Sequence, residues 1–148
     1  MRVAALLMEI LRRSGVRHLF GNPGTTELTF LDALGETIAA SGRRVVVIAG
    51  ADLAHMGPRF GDPAPISADE LQRIEREDRE MLSAVERGDA RAFFDAVARD
   101  GDRRRICGYS PIYATLRVLG RPRGGLLRYG QWPDPEAVVT FASMTFET

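Results

Sequence analysis

Apolar residues return at helical intervals at the start of the chain: Val3, Leu6, Leu7, Ile10 and Leu11 share one face, and Ser14-Gly15 ends the pattern. The short apolar stretch over residues 16–20 then reads as a strand. Gly21-Asn22-Pro23-Gly24 is a turn, after which Thr25 or Thr26 caps a second helix through Phe30, Leu31 and Leu34 toward Ala40, closed by Ser41-Gly42. Val45-Val46-Val47-Ile48 is different in kind. It is an unbroken β-branched run without alternation, of the sort buried on both faces of a parallel sheet, and it stops at Ala49-Gly50. Ligands in open α/β sheets bind just past such strand ends.

Residues 57–65, rich in proline and glycine, form a loop before Ser67-Ala68-Asp69-Glu70, a capping box that opens a strong helix. The inner stripe of that helix is Leu71, Ile74, Asp78, Met81, Leu82 and Val85, with Asp78 the one polar member. Gly88-Asp89 ends it and starts another helix, on which Phe93, Phe94 and Val97 face inward. Arg103-Arg104-Arg105 reads as a solvated turn rather than a phosphate site. Ser110-Pro111 predicts an N-cap with proline at the first helical position, and Gly120 the C-cap. Residues 126–131 and 138–146 then read as two strands around Trp132-Pro133-Asp134-Pro135, a terminal hairpin.

These elements fit one α/β domain, the usual content of 148 residues. Twenty acidic and twenty basic residues cancel, and the pI is near 6.7, so no global field draws in nucleic acid or an anionic membrane. Neither is an expected partner. The longest apolar run after the first helix falls far short of the roughly 20 residues that span a bilayer, and Glu9 interrupts the only stretch resembling a signal peptide. The single cysteine, Cys107, permits no internal disulfide and fits a reducing compartment, so the cytoplasm is the expected location.

Asp52-Leu53-Ala54-His55 directly follows the β-branched run, placing a carboxylate and an imidazole at a strand-end loop. The pair can ligate a metal, or serve as base and orienter, because a carboxylate fixes which ring nitrogen carries the proton. His55 can equally be a structural hydrogen-bonding residue. Cys107 lies just before a capped helix, whose N-terminal dipole would favour the thiolate, the form that attacks or binds metals. His18 has no carboxylate near it in sequence and is left out of the site.

Four ordered stretches resemble the Memo-like family, also known as AmmeMemoRadiSam system protein B. They are Val46-Val47-Ile48 through Asp52-Leu53-Ala54-His55-Met56-Gly57-Pro58-Arg59-Phe60-Gly61-Asp62, then Ile106-Cys107-Gly108-Tyr109-Ser110-Pro111-Ile112, Leu127-Arg128-Tyr129-Gly130-Gln131 and Val138-Val139-Thr140-Phe141-Ala142. The resemblance covers residues 37–148 and the second half of that family only. It implies part of an α/β sheet similar to the class III extradiol dioxygenases, with flanking helices and a C-terminal hairpin. It also implies a pocket for copper or iron in which Cys107 is a metal ligand and Asp52 and His55 line or assist the site. The other ligands of that pocket belong to the family's first half, so a second chain completing the pocket or the sheet is an expected partner.

Residues 1–36 resemble something else. Gly15-Val16-Arg17-His18-Leu19-Phe20-Gly21-Asn22-Pro23-Gly24-Thr25-Thr26-Glu27-Leu28 is similar to the opening of thiamine-diphosphate enzymes of the benzoylformate decarboxylase type. That similarity implies a loop beside the cofactor site at Asn22, Gly24 and Thr25, with Thr25 contacting substrate. The glutamate that activates the cofactor and the Gly-Asp-Gly motif that holds its diphosphate have no counterparts here, which argues against thiamine diphosphate as a cofactor. The expectation is a hybrid chain joined between Phe30 and Thr37: a Memo-like protein with an incomplete metal pocket and without the full catalytic set of either family. The alternatives are a thiamine-diphosphate lyase or decarboxylase fragment, and a non-catalytic interaction module.

Overall fold

A computed structural model describes residues 3–21, 28–134 and 136–147. Helix α1 (Val3–Arg13) packs its Met8 side against α2 (Leu28–Ala40), which crosses the expected junction as one unbroken helix. An ion pair of 2.6 Å between Asp32 and Arg117 ties α2 to α5 (Tyr109–Leu119). Between them in sequence lie the two-residue strand β1 (His55–Met56), a 3₁₀ turn (Pro58–Phe60), α3 (Ala68–Glu86) and α4 (Ala90–Ala98). The chain closes with β2 (Arg123–Asp134) and β3 (Ala137–Glu147).

The helix starts follow the sequence signals. Ser67 Oγ accepts the Glu70 amide at 3.2 Å to cap α3, and Asp89 Oδ1 accepts the Ala92 amide at 2.9 Å to cap α4. The inner stripe of α3 is buried at Ile74, Asp78, Met81, Leu82 and Val85, and meets Phe93 and Val97 of α4. Phe94 stays half-buried, with its ring 5.4 Å from that of Tyr109. Helix α5 departs from expectation. Gly108, not Ser110, is its N-cap, no side chain caps it, and Pro111 sits in the first turn, where its missing N–H breaks no helical bond. Gly120 closes α5 as expected.

Among the described residues the sheet is antiparallel and three-stranded, in the order β1-β3-β2, so the architecture is a mixed helix and sheet fold. The hairpin is longer than predicted, with Arg123 opposite Glu147 at its open end. A register shift between Leu126 and Arg128 leaves Leu127 exposed. At the other edge of β3, His55 pairs with Val139 and Met56 with Val138. The ladder continues as Leu53 N–H donates to Thr140 O (2.8 Å) and Thr140 N–H to Ala54 O (3.0 Å).

Two predicted strands are not formed. Residues 16–20 and 45–48 are without strand pairing, and Phe20, Val46 and Ile48 are 91%, 82% and 82% exposed. A parallel-sheet strand is held by neighbours on its edges and layers on its faces. Among the described residues, segment 45–48 has no strand beside either edge. Val47 and Ala49 face a narrow apolar cleft of about 210 Å³ toward Leu82, Val85, Met144 and Phe146, while the opposite face of the segment is bare.

The arginine triplet is also not a solvated turn. Arg103 bridges Glu70 and Glu77, both at 2.7 Å, and Arg105 holds Asp62 at 2.8 Å. Arg104 is buried and pairs with Asp78, the polar residue in the stripe of α3. Arg104 thus compensates the one polar residue in an otherwise apolar stripe.

Candidate metal centre

The site is assembled where β1 begins and α5 begins. His55 opens β1, and its main chain is held from two sides: its N–H donates to Arg104 O (2.7 Å), and its carbonyl accepts from the Arg105 guanidinium (3.2 Å). Leu53 and Ala54, fully buried, anchor the loop into the core between Asp52 and His55. Helix α5 reaches the same loop through Gly108, whose N–H donates to Asp52 O at 2.9 Å. A Cβ at position 108 would stand 2.7 Å from that carbonyl oxygen, so only glycine allows the approach. Cys107, one residue earlier, is brought beside the loop: its N–H donates to Leu53 O (3.3 Å) and its thiol to Asp52 O (3.3 Å).

The result is a cluster in which one ligand atom each of Asp52, His55 and Cys107 lies within 4.8 Å of the others. His55 Nε2 is 4.0 Å from Asp52 Oδ2. Its other ring nitrogen, Nδ1, lies 3.1 Å from Leu53 O. A carbonyl only accepts, so Nδ1 carries the proton, and in the neutral ring the lone pair of Nε2 faces the cluster, the arrangement that prepares a histidine for a metal. The ring of Phe60 packs perpendicular to that of His55, with centroids 5.1 Å apart and planes at 87°, which restricts its rotation. Asp52 and Cys107 border an open depression of about 580 Å³ that also touches Gly21, Ile48 and Pro111.

The thiol departs from expectation. Partial burial of the sulfur pushes the Cys107 pKa up, and the nearby Asp52 carboxylate adds to this. The resting side chain is a neutral thiol that donates to a carbonyl, rather than a thiolate favoured by the start of α5.

The three residues singled out at the loop and at Cys107 are therefore the three brought together, although they are separated by up to 55 positions. His18 does not join them; it stacks on Phe20. Asn22, Gly24 and Thr25, expected beside a thiamine diphosphate, lie outside the described residues. Sequence reasoning missed the supports of the site. Thr140 carried no signal as one threonine in a strand, and Asp78 was visible only as a break in an apolar stripe. No helix among the described residues is long and apolar enough to cross a membrane.

The Memo-like protein family matches residues 22–145. Two similar proteins are described as MEMO1 family proteins. One, from Methanosarcina mazei, is 29% identical over 121 residues, 77% of this chain and 40% of that protein. The other, from Methanosarcina acetivorans, is 27% identical over the same length and shares. The chain thus spans about two fifths of the length of these relatives. With the family match running through α2, the loop of Asp52 and His55, Cys107 and the hairpin, this chain belongs to the Memo-like protein family.

Proposed function

We propose that this protein binds a transition-metal ion through Asp52, His55 and Cys107, with no reaction assigned to the chain by itself. The observation that carries the reading is the convergence of an oxygen, a nitrogen and a sulfur donor within 4.8 Å, with His55 already oriented by Leu53 O. Such a mixed set suits copper or iron, in line with the family resemblance, and hard cations such as calcium and magnesium poorly. Three protein donors leave positions open, as in sites where a metal supplies Lewis-acid or redox chemistry. A second polypeptide that supplies further donors is the partner expected on this reading. In this role the chain's own residues hold and orient: Leu53 O fixes the imidazole, Phe60 limits its rotation, and Gly108 brings Cys107 to the loop.

Metal content by mass spectrometry on protein purified without an affinity tag tests the proposal. Near-stoichiometric copper or iron in the parent, lost in Cys107→Ser, is the expected result. A folded, metal-free parent that takes up neither ion on titration would sink it.

The bare segment 45–48 favours a second, compatible reading as an interaction module. A β-branched run with Val46 and Ile48 each 82% exposed invites another strand or an apolar layer. Sedimentation of the parent and of Val46→Lys/Ile48→Lys distinguishes the cases. Association lost in the double variant supports an interface there, and a concentration-independent monomer in both argues against self-association through it.

A further inference from the structure

The loop that carries Asp52 and His55 is fastened from beneath by a buried polar network that the metal reading does not use. Thr140 is fully buried on β3. Its hydroxyl accepts the Ala54 amide at 2.9 Å and donates to Asp78 Oδ2 at 2.6 Å. Asp78, fully buried on α3, also receives Tyr129 OH at 2.9 Å and the Arg104 guanidinium. The main chain of Arg104 then accepts the His55 amide at 2.7 Å. One carboxylate therefore reaches the loop along two routes, through Thr140 to the residue before His55 and through Arg104 to His55 itself.

We infer that Thr140, oriented by Asp78, is a positioning residue that sets the ring orientation and tautomer of His55. The inference rests on the metal-binding reading for its purpose but not for its geometry. The reason is directional. Ala54 is the link between Leu53, whose carbonyl receives Nδ1, and His55, which carries the ring. Thr140 grips Ala54 twice and Leu53 once: its hydroxyl takes the Ala54 amide, its own amide donates to the Ala54 carbonyl, and its carbonyl takes the Leu53 amide. Strand pairing alone would supply the two main-chain bonds. Only the hydroxyl fixes the Ala54 amide, and because its proton is committed to Asp78 it presents a lone pair there. Groups that orient metal-ligating histidines commonly govern metal affinity in this way.

Two readouts test it: nitrogen NMR of the His55 ring in metal-free protein, which reports the tautomer, and cobalt(II) titration followed through its thiolate charge-transfer band. Thr140→Val should convert the single Nδ1–H tautomer to a mixture and weaken cobalt binding by roughly 10- to 100-fold, whereas Thr140→Ser should restore both. Tyr129→Phe is the control, since it removes a donor from the same Asp78 oxygen without touching the loop; it should lower stability while leaving tautomer and cobalt binding at parent values. Should the valine variant not fold, Thr140→Ala takes its place with the same expectations. A parent-like tautomer and affinity in the variant lacking the hydroxyl, or an equal change in Tyr129→Phe, would overturn the assignment. If the parent binds no cobalt, the metal reading fails by itself, and the tautomer comparison still decides the role of Thr140.

Discussion

Arg104 and Asp78, 26 positions apart, meet as an ion pair in the interior, the arginine 4% and the aspartate 0% exposed. Burial pushes the Asp78 carboxyl up, and Thr140, Arg104 and Tyr129 pull it back by favouring the charged form. The same burial, with Asp78 alongside, raises Tyr129 well above its ordinary range, so the phenol stays a donor. The pair joins α3 to the segment that carries Cys107.

Removing one partner should cost far more than removing both. Arg104→Met leaves a buried carboxylate without its cation and should lower stability by about 3–5 kcal/mol in urea unfolding. The double variant Asp78→Leu/Arg104→Met should recover a substantial part of that loss. A single variant as stable as the parent would mean that the pair contributes nothing to holding α3 against the arginine segment.

Acid should loosen the loop after β1 through Asp62. Its carboxylate accepts from Arg105 and from the Gly57 amide at 2.6 Å, and these bonds hold its pKa below the usual value, the arginine contributing most. For a carboxylate with a depressed folded-state pKa, the stabilisation is fully present above the unfolded value of about 3.9 and is lost as pH falls through the lower folded value. Asp62→Asn should therefore flatten the acid limb of the stability curve below about pH 4 and leave its shape near neutrality unchanged. Parallel acid limbs for parent and variant would assign the acid sensitivity elsewhere.

Gly57 holds the turn out of β1 at a φ of 110°, and a Cβ there would lie 2.5 Å from Glu136 O and 2.8 Å from Ala137 Cα. Gly57→Ala must both strain the backbone and push the tip of the hairpin away, at a cost of at least about 1–3 kcal/mol. A lower thermal midpoint and a displaced His55 ring resonance are the expected signs. An unshifted midpoint would show that the turn relaxes freely.

Ser67 is a simpler case. Its hydroxyl satisfies one of the free amides at the start of α3, and Ser67→Ala should cost about 1 kcal/mol, with Ser67→Asp close to the parent. Because no hydrogen bond joins Ser67 to Asp52, His55 or Cys107, metal uptake should be the same in both variants.

Much of the fold was legible because its signals are local. Capping side chains at Ser67 and Asp89, the periodic stripe of α3, the apolar face of α4 and the turn between β2 and β3 each act within a few residues of themselves. Asp52, His55 and Cys107 were legible as residue types that suit one another in the order of a known family, and three-dimensional structure was needed to bring them within reach.

What the sequence determined, then, is where helices start, which faces are apolar and which side chains can offer donors to a metal. Tertiary structure decided the rest, since it depends on partners distant along the chain. Segment 45–48 has the composition of a buried strand, yet strand formation requires neighbours to take its hydrogen bonds, and none lies beside it among the described residues. Arg104 reads as a surface residue until Asp78, on another element, neutralises it in the interior. The lone pair of His55 faces the cluster only because Leu53 O receives the opposite ring nitrogen, a matter of backbone direction and not of residue identity.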